Sequence, residues 1–481
     1  MNKRMVLSTL GQLTLSEAAL MILPLIVSII YGEDNVALSF LITIGIALIV
    51  GVALYLCFKT KNKTIYAKEG FVIVALGWLI MSAIGALPFV ISGDIPYYID
   101  AFFETVSGFT TTGASILTDL DAISHGALFW RSFTHWVGGM GVLVFIMAIL
   151  PSISDRSIHI MRAEMPGPIV GKIVPRARQT ARILYIIYFV FTALETIFLM
   201  LGGMSLFESL LHSFGSVGTG GFGIKADSVA SYSPYIQWVI TAFMFICGIN
   251  FNLFYLILMK KFKSAIKSTE LWAYIGISVV TTIIIICNTN SMYSNLGDTI
   301  RASSFQVSSV ITSTGFSTVD YNAWPTLSKT LIVLLMFIGA CAGSTGGGFK
   351  VARIVMLFKM IKQELRRVIH PRSVTTVKFE GKVLDKTTLS SVSSYLAIFL
   401  VFFIATVLLI SFEPFGFETN FTSALSCFNN IGTFFPGTNV GIGFADYSIF
   451  SKIVLSFAML FGRLEIYPLL IALTPSTWTK K

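Results

Sequence analysis

Apolar residues in this chain come in long runs, broken at intervals by short polar and charged segments. The runs cover Leu15 to Ile30, Val36 to Cys57, Phe71 to Ile91, Val137 to Leu150 and Ile183 to Leu201. They continue over Tyr235 to Met259, Leu271 to Cys287, Leu331 to Ala342, Leu396 to Ile410 and Ile453 to Leu473. Most reach the roughly 20 residues needed to cross a bilayer once their uncharged flanks are counted. Lys3 and Arg4 precede the first run in the manner of a signal peptide. That run is long, has no small-residue cleavage site and is followed at once by another, so it is expected to stay as a helix.

Four shorter apolar stretches lie between these runs, each closing on a glycine-bearing turn. They extend from Asp100 to Gly113, Glu208 to Gly221, Ala302 to Gly315 and Thr419 to Gly432. Their ends read Thr-Thr-Thr-Gly113, Gly-Thr-Gly-Gly221, Thr-Ser-Thr-Gly315 and Asn-Asn-Ile-Gly432, roughly a hundred residues apart, which marks an internal repeat. A full-length run stands before and after each, so the unit is helix, re-entrant pore helix, turn, helix. The fold class expected is an all-α polytopic membrane protein. Two N-terminal helices over 1–62 precede four linked repeats over 63–155, 156–268, 269–378 and 379–481 around one pore.

Composition narrows the class. With 55% hydrophobic and 12% charged residues, a soluble surface cannot be built. The five cysteines, Cys57, Cys247, Cys287, Cys341 and Cys427, lack metal-ligand spacing and read as packing residues. The net charge of +10 does not indicate nucleic acid, because it sits in alternate loops. Lys59, Lys61, Lys63 and Lys68 form one group, Arg156, Arg162, Lys172, Arg176, Arg178 and Arg182 another, and Lys260, Lys261, Lys263 and Lys267 a third. The longest includes Lys350, Arg353, Lys359, Lys362, Arg366, Arg367 and Arg372. The positive-inside rule puts these loops and both termini in the cytoplasm. The opposite loops are acidic, counting Asp94, Asp100, Glu104, Glu208 and Asp298 among their carboxylates, and would concentrate cations at a mouth there.

Irregular backbone at membrane depth is tolerated only where protein or a water-filled cavity satisfies it. Four Thr- and Gly-bearing turns meeting on one axis would do so around a desolvated cation, their carbonyls replacing its hydration shell. The pore helices would aim the negative ends of their dipoles at the cavity. Lower down, Gly343-Ser344-Thr345-Gly346-Gly347-Gly348 interrupts the second helix of repeat 3, where each glycine costs roughly 1 kcal/mol of helix propensity. The run lacks the Gly-Lys-Ser/Thr ending of a P-loop, and no strand precedes it. Arg463 in the last run needs a partner or a task, and on its own reads as an ion pair with Glu465 or a side chain snorkelling near the helix end. Phe349 to His370 reads as a basic amphipathic helix that could lie on anionic lipid. His125, His135, His159, His212 and His370 are scattered without ligand spacing, so an enzyme is not expected, and His212 reads as a packing residue.

The motifs together resemble the Trk/Ktr/HKT superfamily of potassium transporters, specifically its TrkH/TrkG branch. The marks are the four turns just quoted, Arg162-Ala-Glu-Met-Pro-Gly-Pro168, Cys341 to Lys350, Gly462-Arg463-Leu-Glu465, and the two extra N-terminal spans. The resemblance implies a K⁺ filter at Thr111, Thr112, Gly113, Gly220, Gly221, Thr314, Gly315, Ile431 and Gly432. Within it Thr111, Thr112, Gly220, Thr314 and Ile431 would supply oxygens to the ion. Plant relatives with serine at the first glycine carry sodium, so Gly113 favours potassium. The Gly343–Gly348 loop and Arg463 are implied as the gate. Also implied are passage of K⁺ and Rb⁺, a homodimer with one pore per protomer, a bacterial cytoplasmic membrane, and a cytosolic TrkA-type regulator binding NAD, ATP or ADP. The chain itself shows no cofactor site.

Two departures stand out. Thr433-Phe434-Phe435-Pro436-Gly437 follows Gly432 where the family pattern has Pro-Gly directly, and the second segment carries Gly218, Gly220, Gly221 and Gly223. Those glycines predict looser ion discrimination unless packing fixes them. A proton- or sodium-coupled symporter is the alternative, with Glu195 and Glu465 as its deep carboxylates.

Overall fold

A computed structural model describes residues 1–60, 66–141, 177–372, 375–437 and 441–479, with only the backbone at 177–180. The Arg162–Pro168 motif, most of the Val137–Leu150 run, His159, the loop lysines and arginines at 61, 63, 156, 172 and 176, and the repeat boundaries near 62 and 155 lie outside the described residues. Among the described residues the regular elements are helices except for one small antiparallel hairpin, Lys378–Phe379 with Lys382–Val383.

The N-terminal pair is Lys3–Leu20 continuing into Ile22–Ile30, then Asp34–Cys57. Each repeat opens with a long apolar helix: Ala67–Gly85, Ala177–Leu201, Thr269–Thr289 and Lys386–Ile410. A buried pore helix follows in each: Tyr98–Phe109, Leu206–Val217, Leu296–Ile311 and Phe417–Phe428. An inner helix closes each unit, beginning at His125, Pro234, Thr326 and Ile449. Polar caps start these elements where the sequence turns. Ser124, Ser233 and Ser448 accept from amides of the first turn of their inner helices, and Ser205 forms a capping box with Glu208 on the second pore helix. Each such cap stabilises its helix by about 1 kcal/mol.

Large apolar side chains face outward all around, Ile30 at 73%, Ile49 at 72% and Leu201 at 74% exposure among them, as befits a protein whose solvent is lipid. Around the pore helices Trp130, Tyr188, Phe103, Phe109, Phe222, Phe305 and Phe316 are fully enclosed.

Among the described residues, three apolar runs are not the straight helices that hydropathy predicts. Tyr235 to Met259 divides into Pro234–Cys247 and Phe251–Leu258, bent by 87°, and Ile453 to Leu473 into Ile449–Arg463 and Tyr467–Leu473, bent by 117°. The first bend opens at Asn250, whose side chain caps the new helix at the Asn252 amide. The second follows Glu465 and Ile466, both with positive φ, and leads into Pro468. The Leu331 to Ala342 run ends its helix at Ile338, because Gly339 turns to φ 73. The glycine interruption therefore begins before Gly343 and ends only at Lys350, with φ 82.

Candidate functional site

The four pore helices end in one conformation. The closing amides of Thr110, Gly218, Thr312 and Asn429 donate to carbonyls four residues back, at 2.8, 3.1, 3.1 and 3.0 Å. Thr111, Thr219, Ser313 and Asn430 then turn left-handed, with φ of 54, 53, 55 and 55°. The next amides, of Thr112, Gly220, Thr314 and Ile431, reach back to the carbonyls of Ser107, Gly215, Ser309 and Ser426 at 2.9, 2.7, 2.8 and 2.9 Å. Gly113, Gly221, Gly315 and Gly432 complete each turn with φ of 79, 75, 88 and 88°. Left-handed backbone at a non-glycine residue costs about 1–3 kcal/mol and persists only where its surroundings hold it.

The turns close into a ring in chain order. A Cβ placed on Gly113 would strike the Gly220 carbonyl, one on Gly221 the Thr314 carbonyl, one on Gly315 the Ile431 carbonyl, and one on Gly432 the Thr112 carbonyl. Every glycine is thus needed for its φ and for the approach of the next repeat's backbone. Nine of the nine filter positions expected from sequence lie in this ring. Its backbone oxygens, with four pore-helix carboxyl ends behind them, are the groups that can replace the hydration shell of a small monovalent cation. The segment after Gly432 folds back on its own pore helix, where Thr422 receives the Phe435 amide at 3.0 Å and Thr419 donates to the Pro436 carbonyl at 2.9 Å.

Side chains behind the ring differ between repeats. Hydroxyls pair at Thr110 and Thr112, 2.7 Å apart, and at Thr312 and Thr314, 2.8 Å apart. Asn430 joins the fourth repeat to the first by donating to Thr112 Oγ1 and to the Met459 carbonyl, both at 2.9 Å. Glu104 is not a solvated loop carboxylate as its sequence position implies. It is 1% exposed, accepts from Arg131 Nε at 2.6 Å and from the Ile116 amide at 2.9 Å, and so braces the turn leaving Gly113. His212 is buried in pore helix 2, its Nδ1 2.8 Å from the Glu208 carbonyl, in keeping with a packing role.

Beneath the ring, the segment from Gly339 to Lys350 enters the gap made by the bend at Asn250. The Cys341 amide donates to the Gly248 carbonyl at 3.1 Å and the Phe251 amide to the Gly343 carbonyl at 3.0 Å. Added Cβ atoms on Gly346 and Gly347 would come 2.6 Å from the Thr312 carbonyl and 2.5 Å from the Asn429 carbonyl, and the Gly347 amide meets Ser313 Oγ at 2.5 Å. The loop therefore lies directly against the foot of the third and fourth turns of the ring. Ser344 bonds to the Cys341 carbonyl at 2.6 Å and holds the bend of the loop.

Arg463 reaches this loop. Its guanidinium donates to the Thr345 carbonyl at 2.7 Å and to the carbonyls of Gly138 and Gly139 at 2.5 and 2.7 Å, so one side chain ties the loop to the inner helix of repeat 1. Glu465 turns instead to Arg353, at 2.5 Å. Lys350 and Arg353 are counted with the basic loop by sequence, yet they are 1% and 5% exposed. The Lys350 ammonium donates to the Gly346 carbonyl, and Glu270 receives the Ala342 amide at 2.6 Å. Sequence reasoning missed these buried charges because each borders a charged loop, and nothing local separates a solvated lysine from one folded under a glycine turn. Among the described residues no group of three or more His, Cys, Asp or Glu side chains could hold a metal ion.

The family model for TrkH, described as a cation transport protein, matches residues 37–480. The chain is 36% identical to the Trk system potassium uptake protein TrkH of Salmonella typhimurium, over 99% of this chain and 100% of that one. It is 32% identical to the Trk system potassium uptake protein TrkG of Escherichia coli, over 95% of each. The crystal structure of the potassium transporter TrkH from Vibrio parahaemolyticus superimposes with a TM-score of 0.89 at 31% identity, covering both chains fully.

Proposed function

This chain belongs to the TrkH family of cation transport proteins, and from that premise we propose that it takes up potassium through a single four-repeat pore. It is a transport protein of the membrane, not an enzyme. The observation that carries the reading is the closed ring of four turns, each glycine packed on the carbonyl that precedes the next. Thr111, Thr112, Gly113, Gly220, Gly221, Thr314, Gly315, Ile431 and Gly432 form the selectivity filter, and K⁺, with Rb⁺ as its close substitute, is the substrate.

The Gly343–Gly348 loop and Arg463 form the gate. The contact of Gly346 and Gly347 with the filter's foot supports this, as does the tie from Arg463 to Thr345. A guanidinium at that place repels cations while it holds the loop. The helix Val351–Ile369 leaves the loop with Phe358, Ile361, Leu365 and Val368 exposed beside its basic residues, which supports docking of a TrkA-type nucleotide-binding regulator. We assign the basic loops and both termini to the cytoplasm of a bacterial inner membrane, the repeats to 63–155, 156–268, 269–378 and 379–481, and the assembly to a homodimer.

The deciding experiment is flux into proteoliposomes carrying the purified protein, comparing K⁺, Rb⁺, Na⁺ and Li⁺ at fixed pH and then under an imposed proton gradient. Rapid K⁺ and Rb⁺ uptake indifferent to the gradient is expected. Uptake that requires the gradient would favour a proton-coupled symporter. That second reading draws on Glu17 and Glu195, both fully buried carboxylates, Glu17 without a hydrogen-bond partner among the described residues.

A further inference from the structure

We propose that His135, on the inner helix of repeat 1, is a positioning residue that substitutes for the side chains the second filter segment lacks, and that the pore's discrimination between potassium and sodium depends on it. The proposal rests on the filter reading above. In repeats 1 and 3 the filter carries its own brace, a hydroxyl pair between the helix-closing residue and the residue before the glycine. At the matching positions repeat 2 has Gly218 and Gly220, and glycine brings backbone freedom with no side chain to restrain it.

The imidazole of His135 occupies the missing volume. A Cβ on Gly220 would fall onto the ring itself, at Cγ, Cδ2 and Nδ1, and one on Gly218 would come 2.7 Å from the His135 carbonyl. The ring is fully buried, and its Nδ1–H donates to the Gly108 carbonyl at 2.8 Å, which ties its position to the end of pore helix 1. That bond fixes the tautomer, since a carbonyl can only accept. Nε2 is left without a partner among the described residues.

A second contact extends the hold past the glycine. Phe222 packs on His135 with centroids 4.1 Å apart, while the Arg131 guanidinium sits 3.6 Å over the same phenyl ring. Arg131 lies one helical turn before His135, on the same face. It donates to the Gly223 carbonyl at 2.9 Å and is anchored by Glu104 at 2.6 Å. The phenyl ring is thus clasped between an imidazole and a guanidinium from a neighbouring repeat, and the glycine-rich segment is held at Gly220, Phe222 and Gly223 from outside.

This arrangement explains a local exchange in the sequence. A side chain at position 220 and an aromatic ring at position 135 exclude one another, so a histidine from repeat 1 and a glycine in repeat 2 form one unit. A filter discriminates through the number and placement of its carbonyls, and one slack side would let the ring adapt to a smaller ion.

The test is a double-mutant cycle on the full-length protein in proteoliposomes, reading the ratio of K⁺ to Na⁺ flux and, in parallel, thermal stability in detergent. His135→Ala is expected to lower the ratio by roughly tenfold, in the range of couplings between groups in contact. Gly220→Thr alone is expected to depress K⁺ flux, because the new side chain meets the imidazole. The pair His135→Ala with Gly220→Thr is expected to regain selectivity over His135→Ala, the threonine restoring a side chain where Thr112 and Thr314 carry theirs. His135→Gln, which keeps a donor towards Gly108, is expected to fall between wild type and His135→Ala, and it carries the test if His135→Ala does not fold. A selective wild type beside an equally selective His135→Ala, or a double variant no better than the worse single one, overturns the brace alone. A wild type that does not prefer K⁺ overturns the filter reading and the brace with it.

Discussion

The ring and the plug beneath it are built on opposite plans. In the ring all four repeats do the same thing, a left-handed residue, a back-bonded amide and a glycine, each with one neighbour on either side. In the plug nothing repeats. One loop from repeat 3 and one arginine from repeat 4 act against the end of a helix from repeat 1. A group placed to surround an ion equally gains from symmetry, whereas the loop proposed as the gate is one piece, and one piece can move without unmaking the rest. The contrast predicts that damage to the ring removes selectivity or flux, and damage to the plug releases it.

The largest effect is expected from Gly221→Ala, where the methyl would meet the Thr314 carbonyl in a left-handed backbone. Rb⁺ uptake in proteoliposomes should fall by roughly a hundredfold or more, since each tenfold step is about 1.4 kcal/mol. Gly315→Ala should match it if the ring is equivalent all round, and an unequal pair would show that one repeat dominates. Gly113→Ser belongs to the same class and should weaken potassium selectivity, read as a permeability ratio.

Arg463→Ala should act in the other direction and raise K⁺ flux by roughly tenfold, since its charged donor holds the loop at the Thr345 carbonyl and is itself anchored by two bonds to Gly138 and Gly139. Unchanged flux would mean that the loop is held by its own packing. Glu465→Gln, which weakens the hold on Arg353 below the loop, should raise flux by roughly threefold, about 0.7 kcal/mol. The smallest change is expected for Asn430→Ala, which removes the amide bridging the fourth turn to Thr112. A fall of roughly twofold in the K⁺ to Na⁺ ratio, about 0.4 kcal/mol, is expected.

These two plans also explain what could be read without coordinates. The ring was legible because repetition is visible in a sequence: Gly113, Gly221, Gly315 and Gly432 announce themselves by their spacing and flanking runs. The loop and arginine beneath the ring were half legible. The glycine run and Arg463 stood out against apolar surroundings, but Arg463 was equally compatible with Glu465 as its partner, and only the fold shows Glu465 bound to Arg353. Hydropathy could not show the bends at Asn250 and after Arg463, because a broken span and a straight one have the same composition. Nor could it show that Glu104, Arg131 and His135 stand behind the ring. Their partners, at Ser115, Gly223, Phe222 and Gly220, lie in a loop or in another repeat, and no local pattern links them.

The ring's last joint, Gly432 against the Thr112 carbonyl, connects the beginning of the pore to its end. During synthesis the first three turns are delivered well before the fourth, and until it arrives Gly432 is not there to close the ring on the Thr112 carbonyl. Carbonyls that will face an ion then have no fourth neighbour to fix the opening's width. A chain that stops short of residue 432 should therefore be a failed assembly rather than a smaller channel. On the proposed filter reading, selectivity requires the one joint that only the last turn supplies.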